Sequence, residues 1–128
     1  MSRGLFGGYC YGPVDLVKVR RIDNSMQLQL RTIKGGIAYA NYDGCVYWRL
    51  DSSQKGMHIP IVQQMTADEL IDRNDSDTLL SLQKNSNNVE KLLHDWEDDG
   101  LKFYLHYGTE PGSEYLIAAR NMKYREIS

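Results

Sequence analysis

Residues Met26–Thr32 alternate without a fault: Met26, Leu28 and Leu30 are apolar, while Gln27, Gln29 and Arg31 are polar. A period of two sends successive side chains to opposite faces, so this segment predicts a strand with one buried face. A one-sided strand commits the chain to a sheet that a second layer must cover. The same period returns near the other end, where Leu101, Phe103, Leu105 and Tyr107 alternate with Lys102, Tyr104 and His106.

Turn signals divide the rest into elements. Val14–Ile22 is rich in β-branched residues and stops at Asp23-Asn24-Ser25. Lys34-Gly35-Gly36 separates the alternating strand from Ile37–Tyr42. Asp43-Gly44 before Cys45–Leu50 predicts a two-residue hairpin, since Asp-Gly supplies positive φ at low cost. After the polar loop Asp51–Gly56, Met57–Ile61 alternates again. Pro60 has no N–H to donate, which predicts an edge strand there. Gly4–Gly12 holds four glycines and reads as a loop or a bulged edge strand. It lacks the Gly-Lys-Ser/Thr end of a phosphate loop, and no G-x-G-x-x-G opens a helix.

The middle of the chain changes period. Thr66-Ala67-Asp68-Glu69 is a capping box, with Met65 and Leu70 placed for a hydrophobic staple, so a helix runs from about Ala67 to Arg73. Asp75–Lys84, with Leu79, Leu80 and Leu82, predicts a second short helix. Asn85-Ser86-Asn87 offers an N-cap, and Val89, Leu92, Leu93 and Trp96 recur at helical spacing, with Gly100 placed to end the third helix. The end returns to strand: 101–107, a turn at Pro111-Gly112, the partner Glu114–Arg120, and a short Met122–Ile127. The expected fold class is α+β over a single domain, 1–128. An antiparallel β-meander of about five strands precedes two or three short helices packed on one face, and a C-terminal β-hairpin closes it.

Composition narrows the classes of function. Apolar residues make up 41% and charged residues 25% of 128, ordinary values for a folded domain and unlike those of a disordered chain. No apolar run approaches the roughly 20 residues of a membrane span. The opening residues lack a secretory apolar stretch, and Cys10 and Cys45 form no CxxC pair. The reading is a cytoplasmic protein with reduced, packed thiols.

The net charge of −2 is unevenly spread. Residues 1–62 carry eight Lys/Arg and four Asp/Glu, residues 63–100 three and ten, and residues 101–128 four and three. The helical third is thus acidic and the strand-forming parts mildly basic. Asp68 and Glu69 sit at a helix start, where the dipole favours them. Glu97, Asp98 and Asp99 sit in a last turn, which they oppose by about 0.3–1 kcal/mol each. A local rule broken this way marks a candidate surface.

Catalytic and metal patterns are weak. Glu90, His94, Asp95 and Asp98 cluster on the third helix, but a single histidine falls short of a zinc set, so no metal and no cofactor are expected. Cys10 or Cys45 could meet His58 or His106 only through the fold. Ser113–Ile127 resembles the last strands of ADP-ribosyltransferases, a likeness generic to hairpins. The E-x-E pair is absent because residue 112 is glycine. The resemblance implies only that Glu114 would be the acid of an enzyme alternative.

The sequence therefore favours a non-enzymatic, protein-binding module, with an inhibitor or an immunity or anti-defence protein as its form. Its expected partner is another protein with a basic surface, steered by Glu97, Asp98 and Asp99 and anchored by Tyr39, Tyr47 and Arg49. Two alternatives stand beside it. One is a small enzyme or nucleotide-ligand binder with a site at His58, His106 or Glu114. The other is a single-stranded nucleic-acid binder, using Lys18, Arg20, Arg31, Tyr39, Tyr47 and Arg49 on one sheet face. Edges at the Pro60 strand or the last strand are also compatible with a homodimer.

Overall fold

The computed structural model describes residues 8–73, 77–84, 86–110 and 113–127. Its strands are β1 (Tyr9–Tyr11), β2 (Val14–Ile22), β3 (Ser25–Thr32), β4 (Ile37–Asp43), β5 (Tyr47–Trp48), β6 (His58–Ile59), β7 (Ile61–Met65), β8 (Lys102–Tyr107), β9 (Glu114–Ala119) and β10 (Asn121–Ile127). The α-helices are α1 (Ala67–Ile71), α2 (Asp77–Leu82) and α3 (Val89–Asp98). The Pro111-Gly112 turn, Asn85, Asp75 and Gly4–Gly7 lie outside the described residues.

Two five-stranded sheets form, and every described strand pair is antiparallel. Sheet A has the order β1-β7-β8-β9-β5, and sheet B has β10-β4-β3-β2-β6. The chain crosses between them at Gly12-Pro13, at 44–46, over 49–57, at Pro60 and at Arg120. Strands that switch sheets in this way build the corners of a two-sheet packing. The corners touch: a Cβ on Gly12, whose φ is 124°, would lie 2.6 Å from the Pro60 carbonyl oxygen. Only glycine fits that crossing.

The structure has the α+β character that the patterns predict, and β2-β3-β4 is the predicted meander. Two strand connections differ from expectation. Asp43-Gly44 is no hairpin. β3 and β10 occupy both edges of β4, and Asp43 still pairs with Asn121. The chain therefore leaves for sheet A, where the Val46 and Arg49 N–H groups donate to Ala118 and Leu116. Likewise, Met57–Ile61 is not one strand. Pro60 breaks it into β6, an edge of sheet B as the proline predicts, and β7, which lies inside sheet A between β1 and β8.

Three layers result. Leu28, Leu30 and Ala40 of sheet B close against Tyr104, Ile117 and Ala119 of sheet A. On the far face of sheet A, Phe103, Leu105, Leu116 and Ala118 meet Leu70, Leu82 and Leu93 of the helices. Each such leucine contributes about 1.5–3 kcal/mol by leaving water. Sheet A is thus covered on both faces, so Tyr104 and His106 are buried along with their alternating neighbours.

The helix ends obey local chemistry. The Thr66 Oγ1 accepts the Glu69 N–H at 3.1 Å, and the Glu69 carboxylate accepts the Thr66 N–H at 2.8 Å. Asn88 caps α3 by accepting the Lys91 N–H. At the other end the Leu101 N–H donates to Trp96 and the Gly100 N–H to Glu97, with Gly100 at φ 91°. That pair of bonds is a Schellman motif. Among the described residues, no helix is long and apolar enough to cross a membrane.

Candidate functional site

Among the described residues, the outer face of sheet B carries no covering layer. Its inward residues, Met26, Leu28 and Leu30 on β3 and Ala38, Ala40 and Tyr42 on β4, are buried, so their neighbours point outward. On β2 a register shift between Leu16 and Lys18 resets the alternation. Val19 then packs inward while Lys18 and Arg20 turn out. On β10 Met122 and Tyr124 pack inward, which leaves Lys123 and Arg125 outside.

Register lines these residues up in rows across four strands. One row reads Lys18, Gln29, Tyr39, Arg125. The next reads Arg20, Gln27, Asn41, Lys123. Each row therefore has a cation at both ends and amide or aromatic groups between. Arg31 adds a further cation on β3. Among the described residues, none of these cations makes an ion pair. Among the described residues the face also holds the carboxylates of Asp15, engaged with His58 at 2.7 Å, and Asp43, which accepts from the Ser25 hydroxyl at 3.3 Å. Three strand spacings separate the two cation columns by about 14 Å, and Tyr39 and the Gln27–Asn41 amide pair, bonded at 3.0 Å, form the track between them.

The residues expected to bind a partner fall in different places. Tyr39 lies on this face, but Tyr47 and Arg49 do not. Tyr47 packs toward the helices, its ring 6.1 Å from that of Trp96, and burial raises its hydroxyl pKa. Arg49 lies over the Tyr115 ring, and its Nη1 is buried without a hydrogen bond among the described residues. Glu97 accepts the Ala67 N–H at 2.9 Å and so serves the start of α1. Asp99 pairs with Arg120 at 2.9 Å, while Arg120 also donates to the Asp99 carbonyl. Two of the three carboxylates that oppose the α3 dipole are thus held within the chain, and Asp98 stays exposed.

The enzyme candidates are dispersed. His106 is fully buried between the sheets, in a chain of hydrogen bonds. Its Nδ1 lies 2.9 Å from the Tyr115 carbonyl and its Nε2 2.7 Å from the Tyr42 hydroxyl, which lies 2.8 Å from the Tyr11 hydroxyl. A carbonyl only accepts, so Nδ1 donates and Nε2 accepts from Tyr42. Tyr42 in turn accepts from Tyr11. Burial lowers the His106 pKa to about 4, which keeps the imidazole neutral. His58 stands at the rim of an open groove with Ser53, whose hydroxyl is bonded to Asp51 at 2.6 Å. Glu114 pairs with Arg73 and accepts from Thr78 beneath the helices. Cys10 and Cys45 are free thiols, and burial raises both, Cys45 to about 11. His94 bonds Asp68 at 2.9 Å, which raises its pKa.

No family model, curated protein or solved structure matches this chain.

Lys123 and Arg125 are the cations of the sheet B face that the sequence did not point to. Their own strand alternates weakly, and only the pairing of β10 with β4 brings them beside Tyr39 and Asn41.

Proposed function

We propose that this protein binds single-stranded nucleic acid across the outer face of sheet B. The observation that carries the reading is the pair of rows in which Lys18 and Arg125, then Arg20 and Lys123, flank Tyr39 and the Gln27–Asn41 pair. Cations along both sides can hold a phosphate backbone, while a ring and amides between them meet the bases. A sequence pI near 5.9 does not oppose this, because the acidic helices lie on the far side of sheet A. Screening over about 8–10 Å at ordinary salt separates the two faces electrically.

The alternative of a basic protein partner at the end of α3 has less to hold it. Glu97 and Asp99 are already engaged inside the chain, so their charge is partly spent.

Fluorescence anisotropy with labelled single strands of about ten bases tests the proposal. Binding should weaken with salt at a slope of about −0.7 per phosphate contact, near −3 for about four cations. Replacing Arg20 and Lys123 by Gln should shallow that slope by about 1.4. A slope unchanged in that variant, or capture of an acidic protein in place of any strand, would overturn the reading.

A further inference from the structure

The nucleic-acid face is not uniform along its length. At one end, between Arg20 and Ile22 of β2 and Asn41 and Asp43 of β4, the surface sinks into a hollow of about 220 Å³. Ser25, Met26 and Gln27 of β3, between those two strands, also line it. Pockets that enclose a whole drug-sized ligand run to about 300–1,000 Å³, so this hollow admits one ring system rather than a complete ligand.

Its polar groups are arranged for reading. In the Gln27–Asn41 bond one amide donates and the other accepts. Whichever way the two amides are turned, the pair keeps one oxygen and one N–H outside that bond, on residues that line the hollow. Asp43 spends one carboxylate oxygen on Ser25, and the other has no hydrogen bond among the described residues. A carboxylate would repel a phosphate placed there. It therefore marks a base position, whereas the cations of the neighbouring rows mark backbone positions.

We infer that this hollow is a subsite for a single nucleobase bearing an exocyclic amine, held by the free carboxylate oxygen of Asp43 and the Gln27–Asn41 amides. The inference rests on the nucleic-acid reading of the sheet B face and adds base preference to it. An exocyclic N–H₂ on cytosine or adenine donates to a carboxylate oxygen. Thymine and uracil turn a carbonyl toward the same atom, and the two acceptors cannot pair. Ile22, 63% exposed at the rim, gives the flat of the ring an apolar contact.

The experiment compares labelled homopolymers of deoxycytidine and thymidine, about ten bases long, on the unaltered protein by anisotropy at low salt. The expected result is about tenfold tighter binding of the cytosine strand, the discrimination of roughly one well-read base. Asp43→Asn should reduce that ratio to about twofold or less while leaving the salt slope unaltered, because Asp43 neutralises no phosphate. Circular dichroism of that variant checks its fold, and the comparison on unaltered protein stands without it. Equal binding of the two strands by the unaltered protein would overturn the base subsite and leave the face intact as a backbone binder. Absence of binding to either strand would overturn both.

Discussion

The hydrogen-bonded chain from Tyr11 through Tyr42 to His106 makes a directional prediction. Tyr42 is both donor and acceptor: it gives its proton to His106 Nε2 and takes that of Tyr11. Tyr42→Phe keeps the ring, which packs edge-on against Tyr104 at 5.3 Å between centroids. It leaves two buried groups unpaired, the Tyr11 hydroxyl proton and the His106 nitrogen. At about 1–3 kcal/mol for each stranded group, the cost is about 2–6 kcal/mol. Tyr11→Phe leaves only the Tyr42 oxygen short of one donor, while its bond to His106 survives, so the cost is about 1 kcal/mol. Equilibrium urea unfolding of the two variants measures both. Equal losses, or a smaller loss for Tyr42→Phe, would refute the place of Tyr42 as the middle link of the chain. The same site has a pH signature. His106 binds its proton near pH 4 in the fold, against about 6.5 in an unfolded chain. Between those values the unfolded state holds more protons, so stability is full above pH 6.5 and falls as pH drops toward 4. The span is about 3 kcal/mol. In His106→Gln this part of the pH dependence should vanish, and a persistent, equal fall would assign it to other groups.

Two further substitutions test the corners and the acidic helix end. Gly12→Ala puts a Cβ against the Pro60 carbonyl at a φ of 124°, and should lower stability by more than about 2 kcal/mol in denaturant unfolding. Gly35→Ala, at φ 87° with open space around it, should cost about 1 kcal/mol; equal effects would place the loss in φ strain alone. Glu97→Ala should cost about 1 kcal/mol and speed hydrogen exchange at the Ala67 amide, which it leaves without an acceptor. An unaltered exchange rate would return Glu97 to the role of a purely external charge.

The fold was legible where a single face is buried or a cap is local. Met26–Thr32 alternates because only sheet A lies beneath it, and Thr66 and Glu69 needed no distant partner to start α1. Legibility failed where the third dimension decides. Asp43-Gly44 has the composition of a hairpin, yet β10 returns from the far end of the chain to take the edge of β4 along seven residues. Part of the excess of tyrosine (nine) over phenylalanine (two) has an internal cause that no pattern of spacing could show. Tyr11 and Tyr42 spend their hydroxyls on each other and on His106, so they pack as apolar rings without stranding a polar group.

The candidate face was half legible, for a reason rooted in register. Arg31 and Tyr39 stand at outward positions of a meander, so their local pattern already puts them on one side, whereas Lys18 and Arg20 turn outward only through the register shift after Leu16. Tyr47 and Arg49 share that pattern but follow the crossing at 44–46, and the crossing delivers them to the other sheet. Lys123 and Arg125 enter from the opposite end, and a one-residue slip of β10 against β4 would turn them inward. What holds the register is the inward side of the same strand. Tyr124 stacks on Tyr11 at 4.6 Å between ring centroids, and Met122 packs into the inter-sheet core. The cations on the face are therefore positioned by the core behind them, and a partner that reads the face also depends on that buried side.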